Sequence, residues 1–153
     1  MILLAFLLLS AACCGYALIS GGSPERLTSL IFALGILGSV AISILIPPVP
    51  DGFQSAIFVV DLLMLFGLGG ITALARRYWP IAITAFQLLA VIGHLIRLLE
   101  PDIVPVLYWI SNAFWAVPQM VILAIATTRH RARVRRHGSD PAWIRPRGRR
   151  SQT

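Results

Sequence analysis

Long apolar runs broken by short clusters of turn residues dominate the chain. Five runs stand out: Ile2 to Ser20, Leu27 to Ile46, Phe53 to Ala75, Trp79 to Leu99 and Ile103 to Thr127. Each approaches or exceeds the roughly 20 apolar residues that an α-helix needs to cross a bilayer core. None shows the strict alternation of a barrel strand, so the pattern predicts helices whose backbone groups are satisfied internally. The breaks have chemical causes. Gly21-Gly22-Ser23-Pro24 ends one helix and caps the next, and Pro47-Pro48-Val49-Pro50-Asp51-Gly52 cannot continue a helix because each Pro lacks an amide donor. Arg76-Arg77-Tyr78-Trp79-Pro80 places charge and aromatics at an interface, with Pro80 tolerated in a first helical turn. Glu100-Pro101-Asp102 ends the fourth run. The expected fold is all-α: a polytopic transmembrane bundle over residues 1–128, followed by an Arg-rich tail over 129–153.

Composition supports this class. Of 153 residues, 58% are hydrophobic and only 12% charged, and mean hydropathy is +0.82. A soluble domain of this size has too little interior to hide so much apolar surface. All thirteen basic residues are Arg, and nine of them fall between Arg129 and Arg150, where the only acid is Asp140. The positive charge is therefore an appendage to an almost neutral body. Arg26, Arg76, Arg77 and the tail fall on one side of the bundle, and Asp51, Glu100 and Asp102 on the other. The positive-inside rule then predicts a periplasmic N-terminus, a cytoplasmic C-terminus and multi-pass insertion in a bacterial inner membrane. The first run also admits a second reading as a cleaved signal, because Ser10-Ala11-Ala12 offers small residues. Cleavage would leave four spans in the same orientation.

Three ionisable side chains interrupt the apolar spans: Asp61 in the third, and His94 and Arg97 in the fourth. Each costs on the order of 3 kcal/mol near a bilayer centre, which calls for a partner or a purpose. At 1.5 Å per residue Asp61 lies roughly 12 Å inside the periplasmic boundary, His94 roughly 8 Å and Arg97 roughly 3 Å. Gln87 precedes His94 by seven residues and shares its helical face. On the fifth span Tyr108, Asn112, Trp115 and Gln119 form a second semi-polar stripe, beside Pro118. The expected intramembrane cluster is Asp61, His94, Arg97, Asn112, Gln87 and Gln119. Two readings of it stand: a clamp that locks helix order through ion pairs and hydrogen bonds, or a proton, ion or ligand site. Arg97 can alternatively snorkel to the boundary. Small residues, Gly35, Ser39 and Ser43 on the second span and Gly67, Gly69, Gly70 and Ala73 on the third, predict close packing of those two helices.

Catalytic, metal and cofactor chemistry find little support. One His lies within the spans, Cys13 and Cys14 are adjacent on a distant helix, and no nucleophile motif or phosphate-binding loop occurs. No catalytic residues, metal or cofactor are expected. The tail predicts a fifth helix continuing past Thr127 to a stop at Gly138, a short second turn from Ser139-Asp140-Pro141, and an unstructured end from Arg145. Arg129, Arg131, Arg133, Arg135 and Arg136 are expected at lipid headgroups, with Trp143 as an interfacial anchor. Anionic lipid, an acidic protein partner and nucleic acid each account for such charge, the last least well because stacking aromatics are not interleaved.

The segments Trp79-Pro80, Gln87-Leu88-Leu89, His94-Leu95-Ile96-Arg97, Trp115-Ala116-Val117-Pro118, Arg129-His130-Arg131 and Gly138-Ser139-Asp140-Pro141-Ala142-Trp143 resemble those of small, uncharacterised inner-membrane proteins of alphaproteobacteria. That resemblance spans the C-terminal half and implies a compartment without an activity. Tryptophan-rich sensory proteins share the size and span count, but their Trp/Pro-rich loop after the first helix has no counterpart in Gly21 to Leu27. The leading functional expectation is a non-enzymatic accessory or scaffold subunit of a larger membrane assembly, partnered by anionic lipid and by other membrane subunits or a second copy of itself. The alternatives are a small transporter or proton-coupled protein using Asp61 and His94, and a holin-like lysis protein.

Overall fold

The computed structural model describes residues 2–45, 50–99, 105–140 and 143, and within these the side chains other than those of 2–3, 50–54, 98 and 105–113. Five helices follow one another: α1 (Ile2–Ser20), α2 (Ser23–Leu45), α3 (Pro50–Leu74), α4 (Trp79–Leu99) and α5 (Pro105–His137). The described residues are all-helical apart from turns and one isolated β-bridge. Three segments are long and apolar enough to cross a membrane: Ser23–Leu45, Ser55–Leu74 and Trp79–Arg97.

Local chemistry explains the boundaries. The amide of Gly21 still bonds the Ala17 carbonyl at 2.9 Å, and the Gly22 carbonyl accepts the Arg26 amide at 3.0 Å, so one glycine closes α1 and the next caps α2. Pro24 and Pro80 occupy first turns, where a missing amide donor costs nothing. At the other extreme Gly138 has φ +72° and donates its amide to the Val134 carbonyl at 2.9 Å, the left-handed stop that favours glycine. The α5 helix therefore runs unbroken from the apolar segment into the arginines, as the sequence predicts.

Each helix packs on its neighbour in sequence, and α5 returns to α1, which closes the five into a ring; α5 also touches α2. Every helix contributes to the core, through Cys14 and Ala17, Phe32, Leu68, Ile83, and Met120 with Leu123. Outside the ring, Leu34, Leu37, Ile44, Leu63 and Phe66 are largely exposed. An apolar coat around a core that is itself apolar is what a helix bundle in lipid presents.

The α2–α3 contact refines the small-residue expectation. A Cβ on Gly35 would stand 2.1 Å from Met64 Sδ, one on Gly67 would stand 2.9 Å from Ile31 Cδ1, and one on Gly38 would touch Val60 at 3.6 Å. Gly69 and Gly70 face open space, and Ser43 spends its hydroxyl on the Ser39 carbonyl of its own helix. Close approach is thus seen at Gly35, Gly38 and Gly67. Gly35→Leu should lower the stability of the detergent-solubilised protein by about 1–3 kcal/mol through overpacking. Gly70→Ala should leave its thermal midpoint unchanged or slightly raised, since alanine is the better helix former.

Candidate functional site

Two polar groups tie elements of the bundle together, one toward each end. At the end away from the arginines, Asp61 of α3 faces His94 and Gln87 of α4. His94 Nε2 is 2.6 Å from Asp61 Oδ2, and Gln87 Nε2 donates to Asp61 Oδ1 at 3.0 Å and to the Asp61 carbonyl at 3.2 Å. His94 is 1% and Gln87 2% exposed. The seven-residue spacing of Gln87 and His94 is two helical turns, so one face of α4 grips both oxygens of a single carboxylate. Closer to the arginines, the hydroxyls of Thr72 and Thr84 meet at 2.8 Å and add another link between α3 and α4.

Of the six residues expected in this cluster, the structure joins Asp61, His94 and Gln87. Arg97 is half-buried one turn beyond His94. Gln119 is buried on α5. Asn112 lies within α5, and its side chain falls outside the described residues, as does that of Tyr108. Trp115 packs against Phe86 of α4, ring centroids 6.1 Å apart, so part of the α5 stripe serves aromatic packing. No three His, Cys, Asp or Glu side chains converge among the described residues.

The second group sits at the arginine end and centres on Asp140. One carboxylate oxygen accepts from Arg77 of the α3–α4 turn; the other meets His130 Nδ1 at 2.7 Å and Arg133 Nε at 3.0 Å, both on α5. Beyond it, Trp143 pairs with Ala75 in an isolated antiparallel bridge. The chain after Gly138 thus folds back and fastens α5 to the α3–α4 turn. Ser139 and Asp140 form no helical turn, because the Asp140 side chain is taken by three basic groups; Pro141 and Ala142 lie outside the described residues, as do 144–153. Of the arginines expected at headgroups, Arg129, Arg135 and Arg136 are exposed, Arg131 lies 6.0 Å over the Tyr16 ring, and Arg133 is drawn to Asp140.

Glu25 was not among the expected site residues. It occupies the first turn of α2, is 1% exposed, and neither carboxylate oxygen has a hydrogen-bond partner. Thr28, one turn on and equally buried, has an unpartnered hydroxyl, whereas Ser29 bonds the Cys14 carbonyl at 2.8 Å. The signal was available: Glu25, Thr28, Ser29 and Phe32 recur at helical spacing and mark the inward face of α2.

These features define the class: a helical chain with apolar helices of membrane-crossing length and ionisable groups paired within the ring. No protein-family model, curated protein or solved structure matches it.

Burial is the largest influence on Asp140 and opposes its ionisation, but hydrogen bonds from Arg77, His130 and Arg133 outweigh it and hold the carboxyl below the ordinary carboxylate range. A depressed acid contributes stability above its unfolded value, about 3.9, and loses it as pH falls through the folded value. The fold-back should therefore release only on acidification below about pH 4. Asp140→Asn should release it at neutral pH. In a background where Trp79, Trp109 and Trp115 are replaced by Phe, release reads as a red shift of Trp143 emission, and unchanged spectra in Asp140→Asn would contradict the role of the carboxylate.

Proposed function

We propose that the chain is a multi-pass inner-membrane protein of five spans that acts through contacts, as a non-enzymatic accessory or scaffold subunit of a larger membrane assembly. Its N-terminus is periplasmic and its arginine end cytoplasmic. Support for the orientation comes from Arg26, Arg76, Arg77 and the α5 arginines, which share one end of the up-and-down bundle. The inner-membrane compartment is read from the same arginine bias. The observation that carries the contact reading is the mutual use of Asp61, His94 and Gln87: three polar groups serve to join α3 to α4. A scaffold needs such internal fastening, and the apolar coat is then the surface on which lipid and partner helices meet it. Exposed α5 arginines hold the anionic cytoplasmic leaflet, each contributing about 1 kcal/mol.

Affinity purification from native membranes in a mild detergent should recover a stoichiometric membrane partner or a second copy of the chain. A monodisperse monomer, free of any companion, counts against this reading.

A second reading, a small proton-coupled transporter, is favoured by the 2.6 Å contact of His94 with Asp61, in which one proton has two acceptors. The two readings separate by variants. As a fastening, the pair costs about 3–5 kcal/mol to break from one side, so Asp61→Asn and His94→Ala should both lower abundance in the membrane. Full abundance with a lost pH-linked phenotype would favour transport instead.

A further inference from the structure

The arginines beyond Thr127 do not share one environment. Arg133 is drawn to Asp140, and Arg129 and Arg136 are exposed two turns apart on another face of α5. Arg131 and Arg135, one turn apart, instead share an open cleft of about 200 Å³ between the end of α1 and α5, lined also by Ser20, His130 and Val134. That lining holds two guanidinium groups, an imidazole and a hydroxyl, and no acid. His130 is kept in place by Asp140, which meets its Nδ1 at 2.7 Å, and Arg131 lies over the Tyr16 ring, 6.0 Å from its centroid. Planar guanidinium donors converging on a space of this size suit the oxygens of a phosphate group.

Depth decides where that phosphate comes from. Thr127 ends the apolar run, so at 1.5 Å per residue Arg131 stands about 6 Å and Arg135 about 12 Å beyond it. The headgroup layer is roughly 5–8 Å deep on each side of the hydrocarbon, and a long arginine side chain can reach back into it. The cleft therefore opens at the level of lipid phosphates. From Arg135 and Arg131 the same face of α5 continues, at spacings of three and four, through Thr128, Ala124, Val121 and Val117. Thr128 donates its hydroxyl proton to the Ala124 carbonyl at 2.8 Å and accepts from the Tyr16 hydroxyl at 3.4 Å, which ties α1 to α5 just below the arginines. Val121 and Val117 are exposed. Read inward, this face offers guanidinium, hydroxyl and then apolar surface, the order in which a phospholipid presents its phosphate, ester and acyl chain.

We propose that the α1–α5 cleft binds one anionic phospholipid, with its phosphate between Arg131 and Arg135 beside Ser20 and an acyl chain along Val121 and Val117. The lining also selects the headgroup: the amine of phosphatidylethanolamine would lie among cations with no acid to receive it, whereas the neutral polyol of phosphatidylglycerol would not. This inference rests on the reading of the arginine end as a lipid contact and deepens it, because two named arginines, rather than the charge of the whole tail, hold the lipid.

The full chain, purified in a mild detergent and mixed with phosphatidylglycerol or phosphatidylethanolamine, is followed by native mass spectrometry. The chain should retain one phosphatidylglycerol in preference to phosphatidylethanolamine. The double variant Arg131→Gln/Arg135→Gln should lower retention about tenfold or more, whereas Arg129→Gln/Arg136→Gln, an equal change of charge, should leave it within about twofold. Arg135→Gln alone should lower it about fivefold, and since it leaves Arg131 over Tyr16, that result does not depend on the α1–α5 contact surviving the double change. Equal losses in the two double variants overturn the site and leave a general attraction of the tail for the leaflet. Equal retention of phosphatidylethanolamine overturns the headgroup selection, and displacement of the lipid by inorganic phosphate assigns the cleft to free phosphate instead. Release of the unaltered chain from vesicles of these lipids by alkaline carbonate would overturn the membrane reading itself, an outcome distinct from loss of the site in a chain that stays embedded.

Discussion

Hydrocarbon offers a polar side chain no water to fall back on, so each such group in a span must find its partner within the protein. Between α3 and α4 the requirement is met by joining helices, whereas Glu25 and Thr28 of α2 are buried without a partner. Asp61 alone would be a liability in α3; opposite His94 and Gln87 it becomes the point at which α3 and α4 are registered to each other. Because two turns of α4 are held by one carboxylate, rotation or sliding of either helix would break two links together. The threonine pair Thr72 and Thr84 fixes the same two helices nearer the other end. With α3 and α4 in register, the short turn at Arg76–Tyr78 places Arg77 where Asp140 can reach it.

The arginine end obeys a different balance. Positive charge is concentrated there, but it is not uniformly offered to lipid, because Asp140 gathers Arg77, His130 and Arg133 and ties the chain beyond Gly138 back onto the α3–α4 turn. One acid among nine tail arginines thereby converts part of a charge run into tertiary structure. The same contact orients His130 beside Gly22 and Glu25, so the fastening of the tail and the environment of the buried acid are parts of one arrangement.

Helix positions were legible because apolar length and Gly/Pro punctuation report directly on backbone chemistry; α1 and α4 coincide with the predicted runs, and α2 and α3 begin three or four residues earlier because Ser23 and Pro50 can enter a helix where an apolar count ignores them. The partnership of Asp61 with His94 and Gln87 was legible through depth and helical spacing. Less visible was the choice among partners, since Arg97, His94 and Gln87 share a face and only the packing distance of α3 against α4 decides. Glu25 escaped notice because it stands at the edge of an apolar run beside Arg26, where a charge looks interfacial, although its helical spacing from Thr28, Ser29 and Phe32 marks the inward face of α2. Asp140 was visible as a charge but not as a contact, since it pairs with Arg77 sixty-three positions away.

Orientation in the membrane underlies the roles assigned to both ends, and a reporter fused after Thr153 addresses it most directly. A fluorescent protein that matures only in the cytoplasm should be bright there, and alkaline phosphatase at the same junction should be inactive, with the fusion resisting extraction from membranes by alkaline carbonate. Active phosphatase, or release of the chain by carbonate, would contradict the account.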